Sequence, residues 1–311
     1  MTVAWRLEPT EAQFLRGLIG MTTNGFHNLR LCFAESRPTV QIMFMLRFFA
    51  GAAAGLQTTR SWLPELSGQF LPVAVAWFLA SVASYLLNGI VDYESDAENN
   101  LDRPLANREL SLRTATRTVI ALSVAALGLA VLAGPAFFAL ITAFLALGAA
   151  YSLPPLQLKK NSTHSILTVV AAGILTYAAG MLAAGGRLTP ELLVLAVTMS
   201  LWMGLVGAIV KDFSDVEGDR LARCKTFTLR VSELRLRRMV SLFAFGIAAL
   251  LLVAATKSPT LLLAGGVVLL GAAAVAYTAL TSRYTDPRQV SRRPYRAFMW
   301  TQYAAHLSVL A

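Results

Sequence analysis

About nine apolar stretches, each near the roughly 20 residues that cross a bilayer, recur along this chain and constrain its fold more than any other feature. Their cores lie at 39–58, 70–91, 114–132, 136–151, 164–184, 190–210, 236–255, 259–281 and 295–311, the fourth and ninth being the shortest. Soluble domains carry about 25% charged residues; this chain carries 14%, with a mean hydropathy of +0.59. A soluble fold would have to bury far too much apolar surface. The sequence therefore predicts an all-α polytopic membrane protein. Gly134-Pro135 is expected to fold the third and fourth helices into a tight hairpin.

The charges lie between the apolar runs and sort by side. Of the 27 basic residues, 23 fall in the lead-in or in the connections on that same side. The other side offers Arg60, Arg187 and Lys257, and Arg47 sits inside the first run. Basic loops face the cytoplasm, so residues 1–38 read as a cytoplasmic N-terminal lead-in, ahead of one membrane domain at 39–311. With nine spans, the C-terminus falls on the far side. The lead-in holds Arg6, Arg16 and Arg30 but no long apolar segment, unlike a secretory signal. The net charge of +10 thus reports orientation rather than nucleic acid. Cys32 and Cys224 have no metal-ligand spacing. His27, His164 and His306 are isolated and read as structural, and the basic stretch Arg288–Arg296 as a contact for anionic lipid.

Acidic residues are concentrated instead. Nine of 17 lie in 92–102 and 212–219. Asn88, Asp92 and Asp96, spaced i, i+4 and i+8, share a helix face where the second apolar run ends. Asp212, Asp215 and Asp219 would share another. Asp92-Tyr-Glu-Ser-Asp96 is echoed by Asp215-Val-Glu-Gly-Asp219, and the four helices between them bring both to one side. This predicts two parallel four-helix repeats with a ninth helix appended. Carboxylates at the mouth of apolar helices are costly unless a cation neutralises them. Hard oxygen ligands with open positions suit Mg²⁺, which takes one or two carboxylates plus substrate phosphates. Arg103, Lys159, Lys211 and Arg220 stand near enough in sequence to bind phosphate oxygens. With an apolar cavity below, the pattern points to an isoprenoid diphosphate.

Four segments in order then resemble the intramembrane prenyltransferase superfamily of UbiA type, over nearly the whole chain. Asn88-Gly-Ile-Val-Asp92-Tyr-Glu-Ser-Asp96 is similar to its N-D-x-x-D-x-x-x-D motif, and Asp102-Arg103-Pro104-Leu105 to the R-P-L that follows. Tyr151-Ser-Leu-Pro-Pro-Leu-Gln-Leu-Lys159 resembles its Y-S-x-P-P-x-x-x-K loop, and Lys211-Asp212-Phe-Ser-Asp215-Val-Glu-Gly-Asp219-Arg220 its second aspartate motif. Gly89 stands where the family usually has aspartate, and Arg230 where it has proline. The resemblance implies a helical ring around a central cavity, capped by cytoplasmic loops, with two Mg²⁺ ions holding a prenyl diphosphate. Asn88, Asp92, Asp96, Asp212, Asp215 and Asp219 would be metal ligands or near them, and Arg103 and Lys159 diphosphate ligands. Tyr151 would face an allylic carbocation, and an aromatic or similar nucleophilic acceptor would attack it. Arg47 reads either as a paired or snorkelling helix charge or as an anchor for the acceptor. Tyr151 also reads as an interfacial tyrosine, and Lys159 as an orientation signal. Two rivals stand beside this transferase: a membrane terpene cyclase using the same donor without an acceptor, and a cation-coupled transporter.

Overall fold

The computed structural model describes residues 25–56, 68–98, 101–256, 258 and 261–311. Arg6, Arg16, Arg60 and Lys257 from the charge argument lie outside the described residues. The described chain is helical. A short helix α1 (25–35) leads into α2 (Pro38–Leu56), α3 (Phe70–Glu98), α4 (Leu112–Ala133), α5 (Pro135–Ser152) and α6 (Ser162–Ala183). There follow α7 (Pro190–Ser214), a short α8 (Val216–Leu221), α9 (Glu233–Ala255), α10 (Leu262–Thr281) and α11 (Arg293–Leu310). Eight of these, α2–α7, α9 and α10, are long and apolar enough to cross a membrane. The ninth predicted span is present as α11 but is less apolar, because it carries Gln302 and His306, both fully buried.

Local chemistry explains the boundaries. Gly134 at φ +119 donates its N–H to the carbonyls of Ala130 and Val131, and Pro135 opens α5, giving the expected hairpin. An L side chain rarely takes that φ, whereas glycine does so freely, and proline at the first helical position loses no hydrogen bond. Thr189 caps α7 by accepting from the Leu192 N–H and ties it to α2 by donating to the Ala54 carbonyl. Arg37, at φ +60 just before Pro38, turns the chain from α1 into α2; a residue preceding proline is disfavoured in the right-handed helical region.

α2 packs on α6 and on α11, α3 on α4 and α5, and α9 on α10; α11 joins α10 back to α2. The α2–α6 contact is nearly backbone to backbone. A Cβ on Gly180 would stand 1.9 Å from the Phe48 carbonyl oxygen, and one on Gly51 2.4 Å from that of Tyr177. Small residues allow such approaches between membrane helices, where dispersion replaces the hydrophobic effect. Outward faces are greasy: Val124, Leu132, Leu242, Val253 and Leu270 are all more than 60% exposed, which suits lipid and not water. α7 departs from regular α-helix in a π segment, Trp202–Gly207, then tightens into a 3₁₀ turn at Asp212–Ser214.

Candidate active site

One cavity runs between α2, α3, α5, α6, α7 and α11. Its rim holds Arg37, Asn88, Asp92, Lys159 and Lys211, and its body Phe44, Phe144, Val169, Phe298 and Met299, with Met203 and Gln302 deeper. The mouth is polar and ionic; the interior is apolar.

α3 continues unbroken to Glu98, so Asn88, Asp92 and Asp96 do share one face. The Asn88 amide donates to Asp92 Oδ2 at 3.0 Å, and its oxygen accepts from Ser152 Oγ at 3.3 Å and Lys159 Nζ at 3.2 Å. Lys159 also bonds Asp92 Oδ1 at 2.5 Å. Arg103 Nη1 lies 2.9 Å from Asp96 Oδ2 and 3.8 Å from Glu35 Oε1. Tyr151 lines the cavity with its hydroxyl 3.4 Å from Ser165 Oγ.

The second motif is arranged differently from a continuous helix. The 3₁₀ turn at Asp212–Ser214 and the non-helical Asp215 separate Asp212 from Asp219, so the i, i+3, i+7 face predicted for them is interrupted. The chain must turn there from the wall of the cavity across its mouth. Lys211 Nζ lies 3.8 Å from Asp212 Oδ1, while Asp215 pairs with Arg288 at 2.7 Å and accepts from Ser214 Oγ. Asp219 Oδ2 is buried without a hydrogen-bond partner, and burial pushes its carboxyl above the usual range. Burial, with the Asp219 charge adding to it, pushes the Cys224 thiol up to about 11. The loop after α8 is stitched to the Lys159 turn: Lys225 N–H donates to the Lys160 carbonyl at 2.6 Å, and Phe227 N–H to Ser162 Oγ. Two loops far apart in sequence are thereby tied together beside Lys159.

Arg220 is exposed and pairs with Glu217, away from the cavity wall. Arg47 is fully buried behind the cavity floor, with Nη2 bonding Gln302 Oε1 at 2.9 Å and the guanidinium over the Phe44 and Tyr177 rings. Tyr177 in turn bonds His306. Sequence reasoning missed Glu35, Arg37, Ser152 and Arg288. Arg288 was visible only as one of a basic run, and nothing in spacing ties residue 35 to residue 103.

No three acidic, histidine or cysteine side chains among the described residues converge into a metal cluster. The donor set nevertheless fits Mg²⁺. Carboxylate oxygens in both motifs, with the Asp219 oxygen unclaimed, are the hard donors of an ion that takes one or two carboxylates and completes its shell from a phosphate.

A rim bearing both signs of charge lies over an apolar cavity inside a bundle of membrane-length helices. The model of the UbiA prenyltransferase family matches residues 44–301, and the chain belongs to that family. It is 28% identical over 234 residues to homogentisate phytyltransferase 1 of Arabidopsis thaliana, covering 71% of this chain and 59% of that protein. Against digeranylgeranylglyceryl phosphate synthase of Saccharolobus solfataricus it is 28% identical over 177 residues, covering 57% and 61%. Against chlorophyll synthase of Oryza sativa subsp. japonica the identity is 38% over 142 residues, covering 43% and 37%. The match thus spans at most 61% of the length of these three relatives. Among solved structures, the UbiA homolog from Archaeoglobus fulgidus bound to GPP and Mg²⁺ superposes with a TM-score of 0.66 at 16% identity, over 90% of this chain and 99% of that one. The apo UbiA homolog from Aeropyrum pernix K1 gives 0.59 at 18%, over 86% and 96%. At those identities the likeness is one of fold.

Proposed function

We propose that the protein transfers an isoprenyl group from its diphosphate to an aromatic or similarly nucleophilic acceptor, inside the membrane and with Mg²⁺. The observation that carries this reading is the cavity whose rim pairs Asp92 with Lys159 and whose body is apolar. The tail lies among Phe44, Phe144 and Phe298, and the diphosphate meets Lys159, Arg103, Lys211 and Arg37. Asn88, Asp92, Asp96, Asp212, Asp215 and Asp219 would hold Mg²⁺, which supplies positive charge to the leaving diphosphate. The carbon–oxygen bond to diphosphate breaks heterolytically, the acceptor's electron pair forms the new bond to the allylic carbon, and the acceptor then loses a proton. The Tyr151 ring faces the developing cation, and the apolar wall keeps out water that would capture it. Arg220, exposed and paired with Glu217, would reach a phosphate only if the α8 turn closes over the mouth. Arg47 would act on the acceptor end through Gln302, which it holds at the cavity floor.

The names of the relatives support an acceptor: homogentisate is an aromatic, and a glycerol phosphate plays that part in another. The basic-residue distribution supports a mouth on the cytoplasmic side.

The test is pyrophosphate release and product extraction from purified protein in lipid, with Mg²⁺, a panel of prenyl diphosphates, and acceptors present or omitted. Release only with acceptor, giving a prenylated aromatic, is expected. Asp92→Ala and Asp215→Ala should each abolish it while leaving the protein inserted. Release without acceptor, giving a cyclic product, would move the protein to the cyclase class. No release at all would return it to the transporter class.

A further inference from the structure

Glu35 lies outside every motif, in the lead-in helix α1, yet its side chain is wholly buried against the first motif. A Cβ on residue 89 would stand 2.5 Å from Glu35 Oε1 and 3.0 Å from Cγ. A side chain at residue 89 would therefore force the carboxylate out of this position. From that seat Oε2 accepts the Leu105 N–H at 3.0 Å, while Oε1 faces Arg103 Nη1 at 3.8 Å. One side chain thus holds both the backbone and the guanidinium of the Arg103-Pro104-Leu105 turn. A buried carboxylate is costly unless it is paired and hydrogen-bonded, and both of its oxygens are committed to this turn. The same nitrogen, Arg103 Nη1, also lies 2.9 Å from Asp96 Oδ2. Glu35 Oε1 and Arg103 Nη1 make no hydrogen bond at 3.8 Å, so their contact is an ion pair that orients the buried guanidinium.

We propose that Glu35 is a positioning residue for the donor site: seated on Gly89, it aims Arg103 at the diphosphate and makes α1 a working part of the site. The proposal rests on the prenyl diphosphate reading above.

The full chain is purified with Glu35→Gln, Glu35→Ala, Gly89→Ala and the pair Glu35→Ala/Gly89→Asp. Donor KM, acceptor KM and kcat are measured with Mg²⁺ and the best prenyl diphosphate, and binding of inorganic pyrophosphate is followed calorimetrically with and without Mg²⁺. Losing one charge-assisted contact should raise donor KM and weaken pyrophosphate binding by about tenfold or more, with acceptor KM unchanged. Gly89→Ala, which unseats the carboxylate, should do the same. The double variant returns a carboxylate to the same slot from α3 and should recover much of the loss seen in Glu35→Ala. If the variants lose folded protein but the folded fraction keeps wild-type donor KM and pyrophosphate affinity, Glu35 is only structural and the proposal falls. It falls equally if the double variant behaves like Glu35→Ala. A wild type that turns over no prenyl diphosphate would sink the function reading instead, and pyrophosphate binding would still judge Glu35.

Discussion

Lys159 shows how much one side chain can organise. Its ammonium bonds both Asp92 and the Asn88 oxygen, and so holds two residues of the first motif one turn apart. The next residue, Lys160, has its side chain in solvent. Lys159→Met should therefore raise donor KM by about tenfold or more, and Lys160→Met should leave it near wild type. Equal effects in a steady-state assay would mean that the two lysines act only through bulk charge. Lys159, Asp92 and Arg103 could be singled out in the sequence because motif spacing places them. Glu35 and Arg288 could not, since their partners lie 68 or more residues away and no periodicity joins them. Arg47 was legible as an oddity, a charge in an apolar run, but its partner Gln302 was not.

Among the elements, α7 carries the least expected geometry. Its π segment at Trp202–Gly207 contributes Met203 and Gly207 to the cavity wall, and it precedes Lys211 at the rim. A π segment accommodates an extra residue in the helix and is frequent at functional sites. Removing one residue from 202–207 should restore regular α-helix, keep the register beyond it nearly unchanged, and take the widened turn out of the cavity wall. Met203 and Gly207 would lose their places in the cavity wall, and transfer should fall sharply while the protein still elutes as a folded species on size-exclusion chromatography. Retained activity would show that the segment is incidental. Apolar runs predicted the helices because length and hydropathy suffice for that. They carried no sign of the π segment or of the break at Asp212–Asp215, both of which are set by tertiary packing. Gly207 illustrates the point: a Cβ there would stand 2.1 Å from the Phe298 ring.

On the scale of the whole molecule, the charge asymmetry becomes a statement about sides. Single cysteines placed at Arg113, in α4 near the mouth, and at Arg187, between α6 and α7, in a chain lacking Cys32 and Cys224, should label oppositely. In sealed inside-out vesicles the first should react with an impermeant maleimide and the second should not. The reverse pattern would invert the orientation. The arrangement of helices around a cavity was legible from four ordered motifs; the closure of the cavity by α11 was not, because α11 looked like one more span.

That last helix is the least apolar of the nine, and its polar residues meet partners on the others: Gln302 meets Arg47 of α2, and His306 meets Tyr177 of α6. Alone in hydrocarbon, Gln302 and His306 would be unsatisfied. It is also the last of these helices to leave the ribosome. Its entry into the bilayer is therefore a docking event rather than an independent insertion, and the cavity acquires its final wall only when the earlier helices already stand in place to receive it.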